Sequence, residues 1–316
     1  MRRAMIMHAM VVIRTRQTTN YTTKETRTMS KLLRTMMVAL LGLVWMTSAQ
    51  AEILYKAKFG EQTWWILGTI HVGTGDEMRL ADSTIEAFLQ SDKVWMELTP
   101  SEMEQAAMVM MQHGMRSSNF FPSNLEKDTW AALQTQLMAA GIQPAQIVAL
   151  EPWLLELMMI MQIAAQQGFD AEMGSESQLM ARIGDMQGEL IGFETAEEQI
   201  LALIASAAES DQAQIERLLE QLEIGVDQLH DMKDHWVNGN LDALMAIMME
   251  DLEPEQREAM LDQRNLNWMA QLQDYFGTTS GTYFIAVGAG HLGGETGLIP
   301  GFEAAGATIE NHSSQR

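Results

Sequence analysis

The chain has 316 residues, of which 47% are hydrophobic and 20% charged, and its net charge is −22 at pH 7. This composition supports a large hydrophobic core and excludes an intrinsically disordered chain. The absence of cysteine excludes disulfides, thiolate metal sites and cysteine nucleophiles, so a metal could be held only by nitrogen and oxygen ligands.

The N-terminal region has the pattern of a targeting segment. Residues 29–51 contain two basic residues, then an apolar run of about a dozen residues, then Ala-Gln-Ala. This order predicts a signal peptide that is cleaved before Glu52, and therefore a periplasmic or secreted protein; a retained membrane anchor would need an apolar run of about 20 residues. Residues 1–28 are a polar extension in front of that signal. We interpret them as non-native or disordered, with a transit peptide or a basic nucleic-acid arm as the alternative.

The exported part of the chain is strongly acidic. Residues 1–51 hold eight of the 20 Lys and Arg residues and one of the 42 Asp and Glu residues, so the remainder carries a net charge of −29. Such a surface repels nucleic acid and anionic lipid. We therefore expect neither nucleic acid nor an anionic lipid surface as a partner. We also expect no membrane span after signal cleavage, and the oligomeric state is left open.

The mature chain begins with a predicted β-hairpin over residues 52–67, which turns at Gly60-Glu61. Its second strand belongs to the segment WWILGTIHVGTGD, residues 64–76, in which an apolar run ends in Gly-x-x-His and a Gly-rich turn. An apolar run of about five residues that is closed by glycine is typical of a buried strand. His71 should therefore follow the carboxyl end of a strand, where open α/β sheets place ligands. Gly68 would let the backbone turn sharply and approach a bound group.

A predicted helix over residues 79–90 and a strand over residues 93–98 come next. The strand ends on Glu97, and a carboxylate is costly to bury without compensation. We therefore expect Glu97 to face a cation, a metal or water, with a solvated strand end as the alternative. Residues 101–187 are a helical insertion rich in methionine, which we interpret as core packing rather than as a copper-binding or peptide-binding groove. Asp170 precedes its last helix.

A short strand over residues 189–193 then leads to Glu194, a second carboxylate at a strand end. Thr195 and Glu198 have the spacing of a capping box at the start of the next helix. The capping role accounts for these two residues without any further function.

The helical region over residues 195–276 is acidic, and most of its carboxylates are expected on a solvated face. Arg264 and Asn265 stand out within it. They are either ordinary surface residues or fixed polar groups for an oxyanion or a substrate carboxylate, and the sequence leaves both interpretations open.

The closing segment repeats the plan of the first motif. Residues 284–297 read FIAVGAGHLGGETG, with Gly288 and His291 in the positions of the first Gly-x-x-His. A helix near residues 302–305 and a strand over residues 307–310 follow. The sequence thus predicts an α/β fold whose central sheet contains two pseudo-symmetric strand–Gly-x-x-His–helix–strand units, with a large helical insertion between them. Two such histidines indicate one shared site, although either histidine alone is more often a hydrogen-bonded core residue.

Together these motifs resemble the TraB/GumN family, which is related to the TIKI metalloproteases. The resemblance is carried by the two Gly-x-x-His motifs, the strand ending at Glu97, the segment Gly192-Phe193-Glu194-Thr195 with Glu198-Gln199, the Arg264-Asn265 helix and AVGAGHLGGETGL. It covers residues 53–312 in order, and its specificity lies in the ordered set. Phe193 stands where relatives usually carry leucine, which is a conservative departure.

The resemblance implies an α/β fold shared with erythromycin esterase-like and ChaN-like proteins over residues 52–316, and a divalent-metal peptidase activity. By residue matching, His71, Glu97 and His291 would hold Mn²⁺, Co²⁺ or Zn²⁺. The catalytic residues would be Glu97, Arg264 and Asn265, and the supporting residues Gly68, Gly288, Glu194 and Asp170. The expected partner is a peptide or protein substrate.

That implied chemistry is coherent. Two imidazoles and a carboxylate leave open positions on a divalent ion, whose bound water would be acidified and attack a polarised carbonyl, with Arg264 stabilising the oxyanion. The sequence has neither a His-Glu-x-x-His zinc helix nor a Gly-x-Ser-x-Gly elbow. The alternative function is a non-catalytic periplasmic binding protein for a metal, haem or a peptide.

Overall fold

Apolar runs along the chain form the six strands of one mixed sheet, around which many helices pack. The structure, a computed structural model, describes residues 52–117, 121–207, 210–250, 252–277 and 280–313. The predicted N-terminal extension and signal peptide lie outside these residues. Among the described helices, none combines the length and the apolar character that a membrane crossing requires.

The sheet contains strands β1 to β6. In chain order they span Ile53–Phe59, Gln62–Thr69, Lys93–Met96, Glu189–Gly192, Gly281–Gly288 and Thr308–Asn311. Their spatial order is β4-β3-β5-β2-β1-β6. β1 is antiparallel to both of its neighbours, β2 and β6, and the other pairs are parallel. The predicted hairpin is confirmed, since β1 and β2 are antiparallel and join at Gly60, whose φ of 59° favours glycine.

The α-helices of the described residues are numbered α1 to α12. They span Asp82–Gln90, Pro100–Gly114, Lys127–Ala139, Pro144–Ile147, Pro152–Gln166, Ser175–Met180, Ala196–Ser206, Asp211–Val237, Leu241–Glu250, Pro254–Arg257, Gln263–Leu272 and Leu298–Ala304. Residues 144–166 form two helices, α4 and α5, and Pro152 occupies the first turn of the second helix. The capping box of Thr195 and Glu198 at the start of α7 is confirmed.

The central strands are buried on both faces. Residues 283–287 of β5 are each at most 4% exposed, as expected when helices cover both sides of a parallel sheet. Trp64 stacks on Trp95 and Tyr283 across β2, β3 and β5, with ring centroids 5.4 and 4.3 Å apart. This close packing helps to hold the three strands together.

The helical insertion packs with α7 and α8 around a second hydrophobic cluster, which includes Leu133, Leu137, Leu155, Met159, Ile215 and Leu218. The interpretation of the methionines as core residues is right for Met159, which is fully buried. It is wrong for Met103 and Met111 of α2, whose side chains are exposed.

The predicted pseudo-symmetry is limited to the two motif strands. β2 and β5 are parallel neighbours paired over their whole length. The strands that complete the two units are not equivalent, because β3 lies inside the sheet beside β5 whereas β6 is an edge strand antiparallel to β1. β6 pairs with the hairpin strand β1, which has no counterpart in the other unit.

Candidate functional site

The carboxyl ends of β2, β3 and β5 lie side by side at one edge of the sheet. The ladder aligns the ends of β2 and β5, and β3 pairs along the other side of β5. His71 follows β2, Glu97 follows β3, and His291 lies in the 3₁₀ turn Ala289–His291 after β5. The topology therefore brings both Gly-x-x-His motifs to the same edge.

Glu97 is only 7% exposed, and both of its oxygens accept hydrogen bonds. Oε1 accepts from the backbone N–H of Gly288 at 2.7 Å. Oε2 accepts from Gln199 Nε2 at 2.9 Å and from Arg264 Nη2 at 2.8 Å. Burial alone would raise the pKa of Glu97, but the charge of Arg264 and the hydrogen bond from the N–H of Gly288 outweigh burial and hold the pKa below its usual range. The alternative of a solvated strand end is wrong.

Arg264, on α11, is the cation of this site and is buried. Its Nη2 donates to Glu97 and to Glu194 Oε1 at 2.5 Å, and its Nε donates to Glu194 Oε2 at 3.0 Å. Its Nη1 donates to the carbonyl of Met260 at 2.9 Å and to His291 Nε2 at 3.1 Å. A guanidinium has five N–H donors, and these five contacts account for them. Arg264 is therefore not a surface residue, and all five of its donors are engaged within the site.

The local sequence explains how Arg264 reaches the site. A π-helical turn, Glu258–Asp262, precedes α11 and ends just before the arginine; such wide turns are frequent at functional sites. Arg264, Asn265 and Trp268 have the spacing of one helix face, and all three are buried. The guanidinium lies 4.9 Å from the ring of Trp268, whose cation–π contact helps to hold it.

Glu194 follows β4 as Glu97 follows β3, and the two carboxylates share Arg264. Gln199 of α7 bridges them, because its Nε2 lies 2.9 Å from Glu97 Oε2 and 3.0 Å from Glu194 Oε1. Burial raises the pKa of Glu194. One guanidinium thus faces two buried carboxyl groups.

His291 is buried behind Glu97 and is 4% exposed. Its Nδ1 lies 2.7 Å from Asn265 Oδ1, and its Nε2 lies 3.1 Å from Arg264 Nη1. Because a guanidinium can only donate, Nε2 must accept and Nδ1 must carry the proton. Burial lowers the pKa of His291 to about 3, so the imidazole is neutral at physiological pH.

His71 differs from His291 in being an exposed residue, with 71% of its side chain accessible. Its Nδ1 lies 2.5 Å from Glu176 Oε2, and the other oxygen of Glu176 accepts from Thr69 Oγ1 at 2.9 Å. The charge of Glu176 and its hydrogen bond raise the pKa of His71 above the usual 6.5. Nε2 of His71 has no hydrogen-bond partner among the described residues.

The segment before α6 clamps the loop that carries His71. The backbones of Gly73 and Asp170 exchange two hydrogen bonds of 2.9 Å. Gly174 lies against the same loop, and a Cβ on it would be 2.4 Å from the carbonyl oxygen of His71. Asp170, expected as a supporting residue, therefore supports the loop through its backbone, while its side chain accepts from the N–H of Glu172 at 2.9 Å.

Substituting Gly174 with alanine should destabilise the protein by about 1–3 kcal/mol, because the added methyl group would force the backbone apart. The φ of Gly174 is −58°, so the loss comes from this clash and not from backbone strain. Gly184→Ala is the matched control: nothing lies within 4 Å of its added Cβ, and its effect should stay within about 0.5 kcal/mol. Chemical denaturation measures both. Equal stability of the two variants would contradict the clamp.

Glu176→Gln should lower the pKa of His71 toward 6.5, because a neutral amide no longer stabilises the imidazolium. The raised folded-state pKa means that the pair stabilises the fold fully below pH 6.5, and that this contribution is lost as the pH rises through the folded-state pKa. NMR titration of the His71 ring in the wild type and in the variant measures the shift. An unchanged His71 pKa in the variant would contradict the pairing.

His71 and Glu97 line one cleft, which holds about 450 Å³ of empty space, partly open to solvent. Glu176 and Gln199 add to its polar lining. Its apolar lining consists of Met96, Leu98, Met103 and Met180. The buried cluster around Arg264 lies behind this cleft and reaches it through Glu97.

The arrangement does not fit the divalent ion that the resemblance implies. Both ring nitrogens of His291 and both oxygens of Glu97 already have partners, and the Arg264 guanidinium contacts both side chains. Within the part of the chain that the structure describes, no group of three or more His, Asp or Glu side chains is placed to hold a metal. Metal dependence itself stays a prediction from the resemblance.

The two motif glycines have roles other than those expected. Neither has a positive φ. Gly68 lies within β2, where an added Cβ would be 3.1 Å from Ala289 and Leu292 of the second motif. Gly288 donates its N–H to Glu97. Gly68 therefore permits the close packing of the two motifs, and Gly288 binds a carboxylate of the site.

Sequence reasoning missed Glu176. It lies 105 residues after His71, in the first turn of the short helix α6. Acidic residues are common in the first turn of a helix because the positive end of the helix dipole stabilises them. No local signal therefore marked Glu176 as a partner of His71. Gln199 was part of the family resemblance but had no assigned role.

Fold and site define an α/β protein in which an exposed His–Glu pair lies in front of a buried Glu–Arg–His cluster. The chain belongs to the TraB/PrgY/GumN family, whose profile matches residues 53–311. It is similar to a protein called uncharacterized protein YbaP from Escherichia coli (strain K12), with 22% identity over 239 residues, which are 76% of this chain and 87% of that protein. The protein of the same name from Shigella flexneri is 22% identical over 233 residues, 74% and 85% of the two chains. No solved structure matches significantly.

Proposed function

We propose that the protein is an exported hydrolase whose substrates are peptides or proteins. The observation that carries this proposal is the pairing of His71 with Glu176 at a cleft that Glu97 also lines. A histidine bound to a carboxylate through Nδ1 has a fixed tautomer and a free Nε2, which is the arrangement of a general base.

In the proposed reaction, neutral His71 takes a proton at Nε2 from a water molecule as the water oxygen attacks the carbonyl carbon. The imidazolium that forms is stabilised by Glu176 and by the nearby charge of Glu97. It then returns the proton to the amine nitrogen as the carbon–nitrogen bond breaks and the carbonyl re-forms, which releases a carboxylic acid and an amine. Because the pKa of His71 is raised, the neutral base becomes populated at higher pH, and turnover should rise with pH through that pKa.

The buried cluster gives Glu97 its fixed position. Arg264 and Gln199 hold one carboxylate oxygen and the N–H of Gly288 holds the other. Asn265 acts on this cluster indirectly, because it accepts the hydrogen bond from His291. Arg264 and Asn265 are therefore positioning residues in this proposal.

A peptide substrate is favoured by the resemblance to TIKI peptidases and by the apolar lining of the cleft. Methionine side chains adapt to varied shapes, so Met103 and Met180 can contact different apolar side chains of a bound peptide. Export is supported by the signal-peptide pattern, and N-terminal sequencing of the periplasmic fraction should find Glu52 as the first residue.

The test is a degenerate peptide library incubated with the purified protein and analysed by mass spectrometry. Parallel samples contain EDTA or added Mn²⁺, Co²⁺ or Zn²⁺, so metal dependence is read at the same time. Cleavage by the wild type but not by His71→Asn supports the proposal. Retention of peptides without cleavage in every sample would favour the alternative, a periplasmic binding protein.

A further inference from the structure

We propose that Arg264 is the built-in cation of this site, and that it stands where a divalent ion would otherwise be bound, so that removing its side chain creates a divalent-metal site. The site is that of the proposed hydrolase, and the catalytic meaning of the exchange rests on the proposed function. The binding consequence depends only on the geometry of the cluster.

Three donor atoms from three separate elements converge on this one guanidinium. Glu97 Oε2 and Glu194 Oε1 lie 2.8 and 2.5 Å from Nη2. His291 Nε2 lies 3.1 Å from Nη1. Two carboxylate oxygens and one imidazole nitrogen are a donor set that binds Mn²⁺, Co²⁺ or Zn²⁺. With Arg264 in place, the described His, Asp and Glu side chains form no group of three positioned to hold a metal. Truncating Arg264 at Cβ would leave the space in which Glu97, Glu194 and His291 could approach one ion.

The charges of the cluster favour a divalent ion over an empty space. Glu97 and Glu194 face the single positive charge of Arg264. Without Arg264, two buried carboxylates would repel each other without compensation, which is strongly unfavourable. An ion of charge +2 would neutralise both.

His291 is already in the state that a metal ligand requires. Its Nδ1–H is held by Asn265 Oδ1, which leaves the lone pair of Nε2 directed at Arg264. Metal-bound histidines show the same pattern, in which the second ring nitrogen donates to an oxygen that fixes the tautomer. Glu97 lines the open cleft, so an ion would reach the cluster from the cleft at Glu97.

The experiment compares Arg264→Ala with the wild type and with Arg182→Ala. Arg182 is an exposed arginine paired with Asp185, so this control removes the same charge outside the site. Each EDTA-treated protein is titrated with Mn²⁺, Co²⁺ and Zn²⁺ by calorimetry, and thermal unfolding is recorded with and without each ion. Arg264→Ala should bind one ion at least about tenfold more tightly than the other two proteins and should show a higher Tm with the ion. Adding His291→Ala to Arg264→Ala should abolish the gain.

Loss of folding would not obstruct the test. If Arg264→Ala is unfolded without metal, recovery of the native circular dichroism spectrum on adding one of the three ions supports the proposal, and failure with all three contradicts it. Binding of one ion to the wild type that Glu97→Gln weakens would also contradict it, even if the protein cleaves peptides. Conversely, a metal gain in Arg264→Ala without peptide cleavage by the wild type would overturn the proposed function and leave this inference standing.

Discussion

Glu97→Gln should lower turnover of a cleaved peptide by about 10² or more and destabilise the protein by about 3 kcal/mol. An amide has one oxygen and one NH₂ group, whereas Glu97 accepts from Gly288 on one oxygen and from Gln199 and Arg264 on the other. In either orientation, the NH₂ group of the amide therefore faces an N–H donor of Gly288, or of Gln199 and Arg264, in a buried site. The variant also removes the negative charge that stabilises the imidazolium of His71. Steady-state kinetics and chemical denaturation measure the two effects.

Glu198→Gln is the matched control for this variant. Glu198 accepts from the backbone N–H of Thr195 at 2.8 Å in the capping box of α7, and glutamine can accept the same bond. Its cost should be at most about 1 kcal/mol, with turnover unchanged. If Glu97→Gln retained the stability and turnover of this control, the role given to Glu97 would be wrong.

His71→Asn should lower turnover by about 10²–10⁴ while changing stability by no more than about 1 kcal/mol. Asparagine can hydrogen-bond with Glu176 but takes up no proton at neutral pH, so a general base is lost. The stability change should be small because the His71 side chain is exposed, with 71% of its surface accessible. The separation of these two effects distinguishes His71 from Glu97, whose replacement changes both.

His312→Asn tests whether removing any exposed histidine has the same effect. His312 also pairs with a carboxylate, Glu310, but it follows the edge strand β6 and does not line the cleft. Its replacement should leave turnover unchanged. Full turnover in His71→Asn would show that the base is another group, and the proposed mechanism would fail.

The sequence predicted the strands and the edge of the sheet where the site lies. The apolar runs before Gly68 and Gly288 are β2 and β5, and their common plan indicated that His71 and His291 belong to the same edge. This worked because burial between two helical layers selects continuous apolar runs, and glycine closes them. The capping box of α7 was predicted for a similar reason, since its hydrogen bonds join residues only three apart.

What only the tertiary structure decided is which charged side chains meet. Arg264 had two open interpretations in the sequence, and its contacts with Glu97 and Glu194 bridge 167 and 70 residues. The pairing of His71 with Glu176 likewise joins residues 105 apart. Local spacing records hydrophobic periodicity and helix caps, but the partner of a buried charge is set by the packing of distant elements. The sequence therefore determined the family, the strands and the two histidines, whereas the packing of α6 and α11 against the sheet decided that one histidine is an exposed base candidate and the other a buried neutral acceptor bound to Arg264.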